Sequence, residues 1–228
     1  SRGVSLGEQT RRDRCCGGES VSATVKATRF VARDALVALH RVRKERDVVI
    51  TTMSPARDWM TLAPQSPLDI VSVPSAMGRA TSLGLGLALA QPDRRVIVCN
   101  GDGSMLMNLG SLVTIVGAGA TNVIVLVFQN GVYEVTGAQP MPAEADFATI
   151  ARGAGFPSVF EFSNSEDWTS NIGNVLDAPG PVFAVLRVAS DVGIPGPKSP
   201  GPASERAKRL REALLVRVAG PGNTLELD

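Results

Sequence analysis

RRVIVCNGDGSMLMN (residues 94–108) runs from two arginines through an unbroken apolar stretch into a glycine–aspartate–glycine turn. An apolar run with no polar alternation suits a strand buried on both faces, the condition of strands in parallel sheets. In such sheets ligands bind beyond the C-terminal ends of the strands, where loops turn into helices, and Gly101-Asp102-Gly103-Ser104 sits at such an end. A helix N-terminus offers free N–H groups and partial positive charge to phosphate oxygens. The two glycines let the backbone approach closely, and Ser104 can donate to a phosphate. Asp102 would repel a bare phosphate, so a divalent cation between them resolves the conflict. Mg²⁺ takes hard oxygen ligands, few of them from protein. A second protein oxygen then comes from the next strand end. NVIVLVF (122–128) is that strand, and it terminates in Gln129-Asn130-Gly131. The stretch between 103 and 129 has room for one helix, a turn and a strand. The side-chain carbonyl of Asn130 and a main-chain carbonyl just after it can complete the protein share of the shell.

Working outward, the same alternation recurs. The segment 27–47 carries Phe30, Val31, Ala35, Ala38, Leu39 and Val42 at helical spacing. DVVITT (47–52) is a short strand, SPARDWMTLA (54–63) a helix and LDIVSV (68–73) another strand. AMGRATSLGLGLALA (76–90) is a small-residue helix able to pack closely on a sheet. MLMNLGSLVTIVGAG (105–119) is one helix, and ADFATIARGAG, SVFEF, SEDWTSNIGNVLDA and PVFAVLRV continue the pattern to residue 188. Strands alternating with helices predict an α/β fold, a doubly wound, mostly parallel sheet covered on both faces. Residues 1–23 read as a disordered extension, 24–190 as the domain, 191–203 as a proline- and glycine-rich linker, and 204–228 as a terminal helix and tail that docks on this chain or on a partner.

Composition narrows the function classes. A net charge of +1 argues against a nucleic-acid or acidic-lipid surface, and 4% aromatic residues against base stacking. Cys15, Cys16 and Cys99 form neither a disulfide framework nor a metal-ligand set and suit a reducing cytoplasm. No apolar run reaches membrane-spanning length, and residues 1–22 lack the apolar core of a secretory signal.

GDG, a spacer of this length, then an asparagine at a strand end form the motif usually written GDG…NN. The chain resembles the diphosphate-binding domain of thiamine-diphosphate enzymes, with Gln129 in place of the first asparagine. The likeness covers roughly residues 25–190. The segments 75–115 and 129–140 (QNGVYEVTGAQP) look like the small decarboxylases acting on sulfopyruvate and phosphonopyruvate. The resemblance implies thiamine diphosphate and Mg²⁺ as cofactors. It implies Asp102, Asn130 and the backbone oxygen of Val132 as metal ligands, with Gly101, Gly103 and Ser104 about the diphosphate. The family's G-S-M-G turn appears as Ser75-Ala76-Met77-Gly78, its first glycine lost. By the same resemblance the Ser75 carbonyl accepts from the 4′-amine of the cofactor, and Met77 props its bent conformation.

Each residue also has a plainer reading. GDG alone occurs in calcium loops and ordinary turns, where Asp102 would be a helix cap. Met77 beside a small-residue helix can be core. His40, the one histidine, reads as a surface residue, and Cys99 as a small buried hydrophobe. Glu134 lies in a loop of about fifteen residues, a length often functional in compact domains. It can handle protons during decarboxylation or stand as a solvated charge. Tyr133, Thr136 and Gln139 share that loop.

Thiamine chemistry also needs a carboxylate against the aminopyrimidine ring. In the family that glutamate lies on a separate pyrimidine-binding domain, which residues 1–74 do not supply. The expectation is half an active site, completed by a pyrimidine-domain partner subunit in a hetero-oligomer or homodimer and acting on a small 2-oxo acid. The alternatives are a subunit of an acetolactate-synthase-like carboligase or of a 2-oxoacid oxidoreductase.

Overall fold

A computed structural model describes residues 30–72, 77–191, 193 and 200–215. The expected extension over residues 1–23, Ser75, and most of the 191–203 linker lie outside the described residues. Six parallel strands form one sheet: β1 (Val48–Thr52), β2 (Asp69–Ser72), β3 (Val96–Gly101), β4 (Val123–Gln129), β7 (Ser158–Phe162) and β8 (Val182–Arg187), in the order β2-β1-β3-β4-β8-β7. The central pair β3 and β4 runs in register from Val96↔Val123 to Gly101↔Phe128. Both strands are buried along nearly their whole length, as their unbroken apolar sequences require.

Helices cover both faces, each over its own core. Helices α1 (Ala32–Val42), α2 (Met53–Trp59) and α7 (Ser165–Asp177) pack on one side, around Leu36, Trp59, Ile97, Leu126 and Trp168. On the other, α3 (Ala80–Ala90), α5 (Gly110–Gly117) and α6 (Phe147–Ala154) close over Ile50, Val98, Val125, Phe147 and Phe183. Gly84 is why α3 can lie so close: a Cβ there would meet Val98 Cγ2 at 2.5 Å. The tail helix α8 (Ala203–Leu215) docks on this chain, with Leu210, Ala213 and Leu214 against the second core and Arg206 donating to the Val71 carbonyl.

Three expectations need correction. The single helix over 105–119 is two, because Asn108 Nδ2 turns back to bond the Gly78 carbonyl at 2.9 Å while Ser111 Oγ bonds the Asn108 carbonyl at 2.7 Å. The short first piece is α4 (Asp102–Leu106). The loop after β4 is not featureless: β5 (Val132–Tyr133) and β6 (Gln139–Pro140) pair antiparallel around a 3₁₀ turn at Glu134–Thr136. His40 is not a plain surface residue, since its ring stands edge-on to Trp59 and Nε2 lies 2.9 Å from the Pro64 carbonyl oxygen. Cys99 is fully buried, and burial pushes its thiol far up from the usual range. Among the described residues no helix is long and apolar enough to cross a membrane.

Candidate functional site

The strand order reverses between β1 and β3: from β1 the chain builds outward to β2, and from β3 toward β4 and β8. A crevice opens at such a switch point, beyond the carboxyl ends of the strands. Here it is a cavity of about 540 Å³, counting its open mouth, lined by the ends of β1, β3 and β4 and by the β5–β6 ribbon. Gly101, Asp102, Gly103, Ser104, Asn130, Val132, Met77 and Glu134, all singled out from sequence, line it together.

Asp102 is 2% exposed and opens α4 as its first residue, with Gly101 rather than Asp102 in the cap position. Its Oδ1 accepts the Gly103 N–H at 2.8 Å, and its Oδ2 accepts the N–H groups of Asn130 at 3.0 Å and Gly131 at 2.8 Å. Burial raises its pKa, and these backbone bonds only partly offset that. A carboxylate buried with backbone dipoles alone favours a cation beside it.

Both ends of the Asn130 side-chain amide are bonded. Its Oδ1 accepts the Val132 N–H at 3.1 Å and its Nδ2 donates to Glu134 Oε2 at 2.7 Å. The Met141 N–H bonds the Gly131 carbonyl at 3.0 Å, which makes Val132↔Pro140 a wide pair in the ribbon. The N–H and C=O of Val132 therefore turn away from β6, toward the Asn130 amide. A carboxylate, an amide oxygen and a main-chain carbonyl are hard donors gathered at two strand ends. That set suits Mg²⁺ with phosphate and water filling the remaining positions. No group of three or more His, Cys, Asp or Glu with metal-site geometry occurs among the described residues.

The other sequence candidates divide. Ser104 is buried, and its Oγ accepts the Gly78 N–H at 2.9 Å, tying the GDGS turn to the segment before α3. Gly103 lies under the Tyr133 ring, where a Cβ would stand 2.8 Å from two ring carbons. Thr136 lines the cavity, whereas the Gln139 side chain is spent within the ribbon on Thr136. Gln129 ends β4 with its Nε2 on the Ala145 carbonyl at 3.1 Å. Glu134 is not a solvated charge. Its side chain is 7% exposed and accepts from Ser54 Oγ at 2.9 Å, Arg57 Nη1 at 3.0 Å and Asn130 Nδ2.

Sequence reasoning missed the β1–α2 junction altogether. Met53 holds φ 58°, a left-handed conformation uncommon for a side-chain-bearing residue and frequent at functional sites. It starts the turn that carries Ser54, Pro55 and Arg57 to the cavity wall. Burial works to lower the Arg57 pKa, but its bonds to Asp58 and Glu134 outweigh that and raise it. The available signal was positional: MSPAR follows strand β1 as DGS follows β3.

Comparison with known proteins bears on the whole arrangement. Residues 48–186 match the family described as thiamine pyrophosphate enzyme, C-terminal TPP binding domain. The phosphonopyruvate decarboxylase of Streptomyces viridochromogenes is 33% identical over 201 residues, which cover 87% of this chain and 49% of that protein. The sulfopyruvate decarboxylase subunit beta of Methanothermobacter thermautotrophicus is 37% identical over 156 residues, 68% of this chain and 80% of that subunit. The chain thus spans about half the length of the first relative and most of the second. A solved structure described as a thiamin diphosphate-dependent enzyme from Mycobacterium smegmatis superposes with a TM-score of 0.61 at 18% identity, over 72% of this chain and 32% of that one. At that identity the likeness concerns the fold alone.

Proposed function

From the premise that the chain belongs to the thiamine pyrophosphate enzymes through their C-terminal TPP-binding domain, we propose that it supplies the diphosphate half of a decarboxylase active site. The substrate would be a 2-oxo acid bearing a second acidic group, sulfopyruvate- or phosphonopyruvate-like. The cofactors would be thiamine diphosphate and Mg²⁺, held by residues of the 24–190 domain. One observation supports the reading most: Asp102 Oδ2 accepts the Asn130 backbone N–H at 3.0 Å, so the two residues adjoin at neighbouring strand ends.

Asp102, the Asn130 amide oxygen and the Val132 carbonyl would hold the ion, and through it the diphosphate. Gly103 and the backbone N–H groups at the start of α4 would face the phosphate oxygens. When bound, thiamine diphosphate supplies the carbon nucleophile and the electron sink that decarboxylation of a 2-oxo acid requires. Met77 gives this side of the cavity an apolar lining. Glu134, accepting from Ser54, Arg57 and Asn130, stands at the cavity edge as a fixed acceptor.

The carboxylate that must face the aminopyrimidine ring would come from a partner subunit with a pyrimidine-binding domain. Two facts support this. One relative is named as a subunit beta, and the other is a protein about twice the span of the match. A third support is the outer surface of α3, α4 and α5. No charged residue occurs between Asp102 and Glu134, and Leu83, Leu89, Met107 and Val113 are exposed there. Such a patch marks a contact surface, and Met107 adjoins Gly78 beside the cavity. A cytoplasmic location belongs to the same reading, supported by the free thiol of Cys99.

The test is calorimetric titration of thiamine diphosphate into the full chain with and without Mg²⁺, then CO₂ release after adding a pyrimidine-domain subunit. Binding only with the ion, and CO₂ from sulfopyruvate or phosphonopyruvate only with the second subunit, is the expected pattern. Cofactor binding indifferent to divalent ions would overturn the site.

A further inference from the structure

We infer that Glu134 is the positioning residue that decides which end of the Asn130 side-chain amide faces the Asp102 site. This rests on the magnesium–diphosphate reading above and adds a role that sequence alone did not suggest for Glu134.

The two ends of an asparagine amide are nearly the same shape, but only the oxygen can ligate a cation. A half turn about the last bond would present –NH₂ to the ion instead. Two bonds set the orientation. Nδ2 donates to Glu134 Oε2 at 2.7 Å, and Oδ1 accepts the Val132 N–H at 3.1 Å. In the flipped amide the oxygen would face the Glu134 carboxylate, acceptor against acceptor, and the –NH₂ would face the Val132 N–H, donor against donor. Both Glu134 oxygens already act as acceptors, toward Ser54, Arg57 and Asn130. Val132 alone gives a single neutral bond, whereas the bond to Glu134 is charge-assisted and short.

Glu134 can impose this because it is itself immobilised. Ser54 Oγ donates to Oε2 at 2.9 Å and Arg57 Nη1 to Oε1 at 3.0 Å, with the side chain 7% exposed. Arg57 is held in turn by its Nε on Asp58 Oδ1 at 3.0 Å. A chain of oriented groups thus runs Asp58–Arg57–Glu134–Asn130, from α2 to the end of β4. Meanwhile the Asn130 backbone is fixed from the other side by Asp102. Partners one step removed from a metal commonly orient its ligands, and removing them costs affinity for the ion.

The experiment measures divalent-ion affinity, with no turnover needed. Mn²⁺ is titrated into the full chain at saturating thiamine diphosphate and followed by electron paramagnetic resonance, and Mg²⁺-dependent cofactor binding by calorimetry. Glu134→Ala should weaken ion binding by about 10- to 100-fold. Glu134→Gln should not restore it, because the –NH₂ end of its amide must face either Arg57 Nη1, donor against donor, or Asn130, where it would favour the flipped amide. In an Asn130→Asp background either end of residue 130 is an oxygen, so adding Glu134→Ala should cost nothing further. The proposal fails if Glu134→Ala binds ion like the wild type, or if its loss simply adds to that of Asn130→Asp. It fails equally if both Glu134 variants keep cofactor affinity and lose only turnover, which would make Glu134 a proton carrier. A wild type that binds no cofactor with any divalent ion sinks both this inference and the site reading beneath it.

Discussion

Asp102 Oδ2 accepts the backbone N–H of Asn130 at 3.0 Å, so one carboxylate ties the end of β3 to the end of β4. The same oxygen takes the Gly131 N–H and Oδ1 the Gly103 N–H. Under the proposed reading the group would be both a ligand and a structural tie, so its removal should show in two measurements.

Asp102→Ala is expected to abolish Mg²⁺-dependent binding of thiamine diphosphate, with affinity falling below calorimetric detection. It also strands three N–H groups. Each buried donor left unpaired costs about 1–3 kcal/mol, reduced here where water reaches the cavity. Urea unfolding should therefore show a loss of a few kcal/mol on that scale. A variant that unfolds earlier yet keeps ion-dependent binding would refute the ligand role and leave only the tie.

Gly103 is constrained by a neighbour rather than by its own backbone. With an alanine there, the new Cβ would meet the Tyr133 ring at 2.8 Å, and the ring and its ribbon would have to shift. Overpacking of this kind costs about 1–3 kcal/mol. Gly103→Ala should lower stability by that amount and weaken cofactor binding. Gly103→Ala/Tyr133→Ala should regain most of the stability, because the clash has a single partner. Equal destabilisation of the single and double variants in urea would show that the contact is not what requires glycine.

The framework was legible because β3 and β4 are apolar on both faces, and only a doubly covered parallel strand sustains such a run. Asp102 and Asn130 were legible as a pair because each follows such a strand. Ser54 and Arg57 were not, since they meet Glu134 only through folding, 80 and 77 residues away along the chain. The β5–β6 ribbon escaped because strands of two residues are too short to show a period. The break between α4 and α5 is set by the reach of Asn108 to Gly78, a tertiary bond no local pattern encodes. His40 was misread for a similar reason: its charged neighbours point to solvent, while Trp59 and Pro64 approach from a different element.

At the far end of the sheet, Asp47 provides a control that touches no site residue. It is 2% exposed and is gripped by Arg95 through Nε at 2.9 Å and Nη2 at 2.6 Å, with the Lys44 N–H at 2.8 Å. Breaking a buried pair by removing one partner costs about 3–5 kcal/mol. Asp47→Ala should fall at the low end, because Arg95 keeps Asp177 and the Leu176 carbonyl. Urea unfolding should move accordingly while Mg²⁺-dependent cofactor affinity stays unchanged. A change in affinity would mean that strain at the amino ends of β1 and β3 reaches their carboxyl ends.

Asp146 gives the pH dependence a defined direction. It caps α6, accepting the Thr149 N–H at 2.9 Å and the Thr149 hydroxyl at 2.8 Å. These bonds favour the charged form and hold its carboxyl below the usual range. A depressed native pKa means that the unfolded chain binds the proton more readily. The capping contribution is therefore complete at pH values above the ordinary aspartate range. It is lost progressively as pH falls through that range to the lower native value. Two-dimensional NMR titration of the Thr149 amide should follow that acid-side transition. Asp146→Asn, which keeps an oxygen for the Thr149 N–H but cannot ionise, should remove the transition and leave α6 formed. If Asp146 instead titrates at or above the ordinary value, the cap is not made in solution, and α6 begins without it.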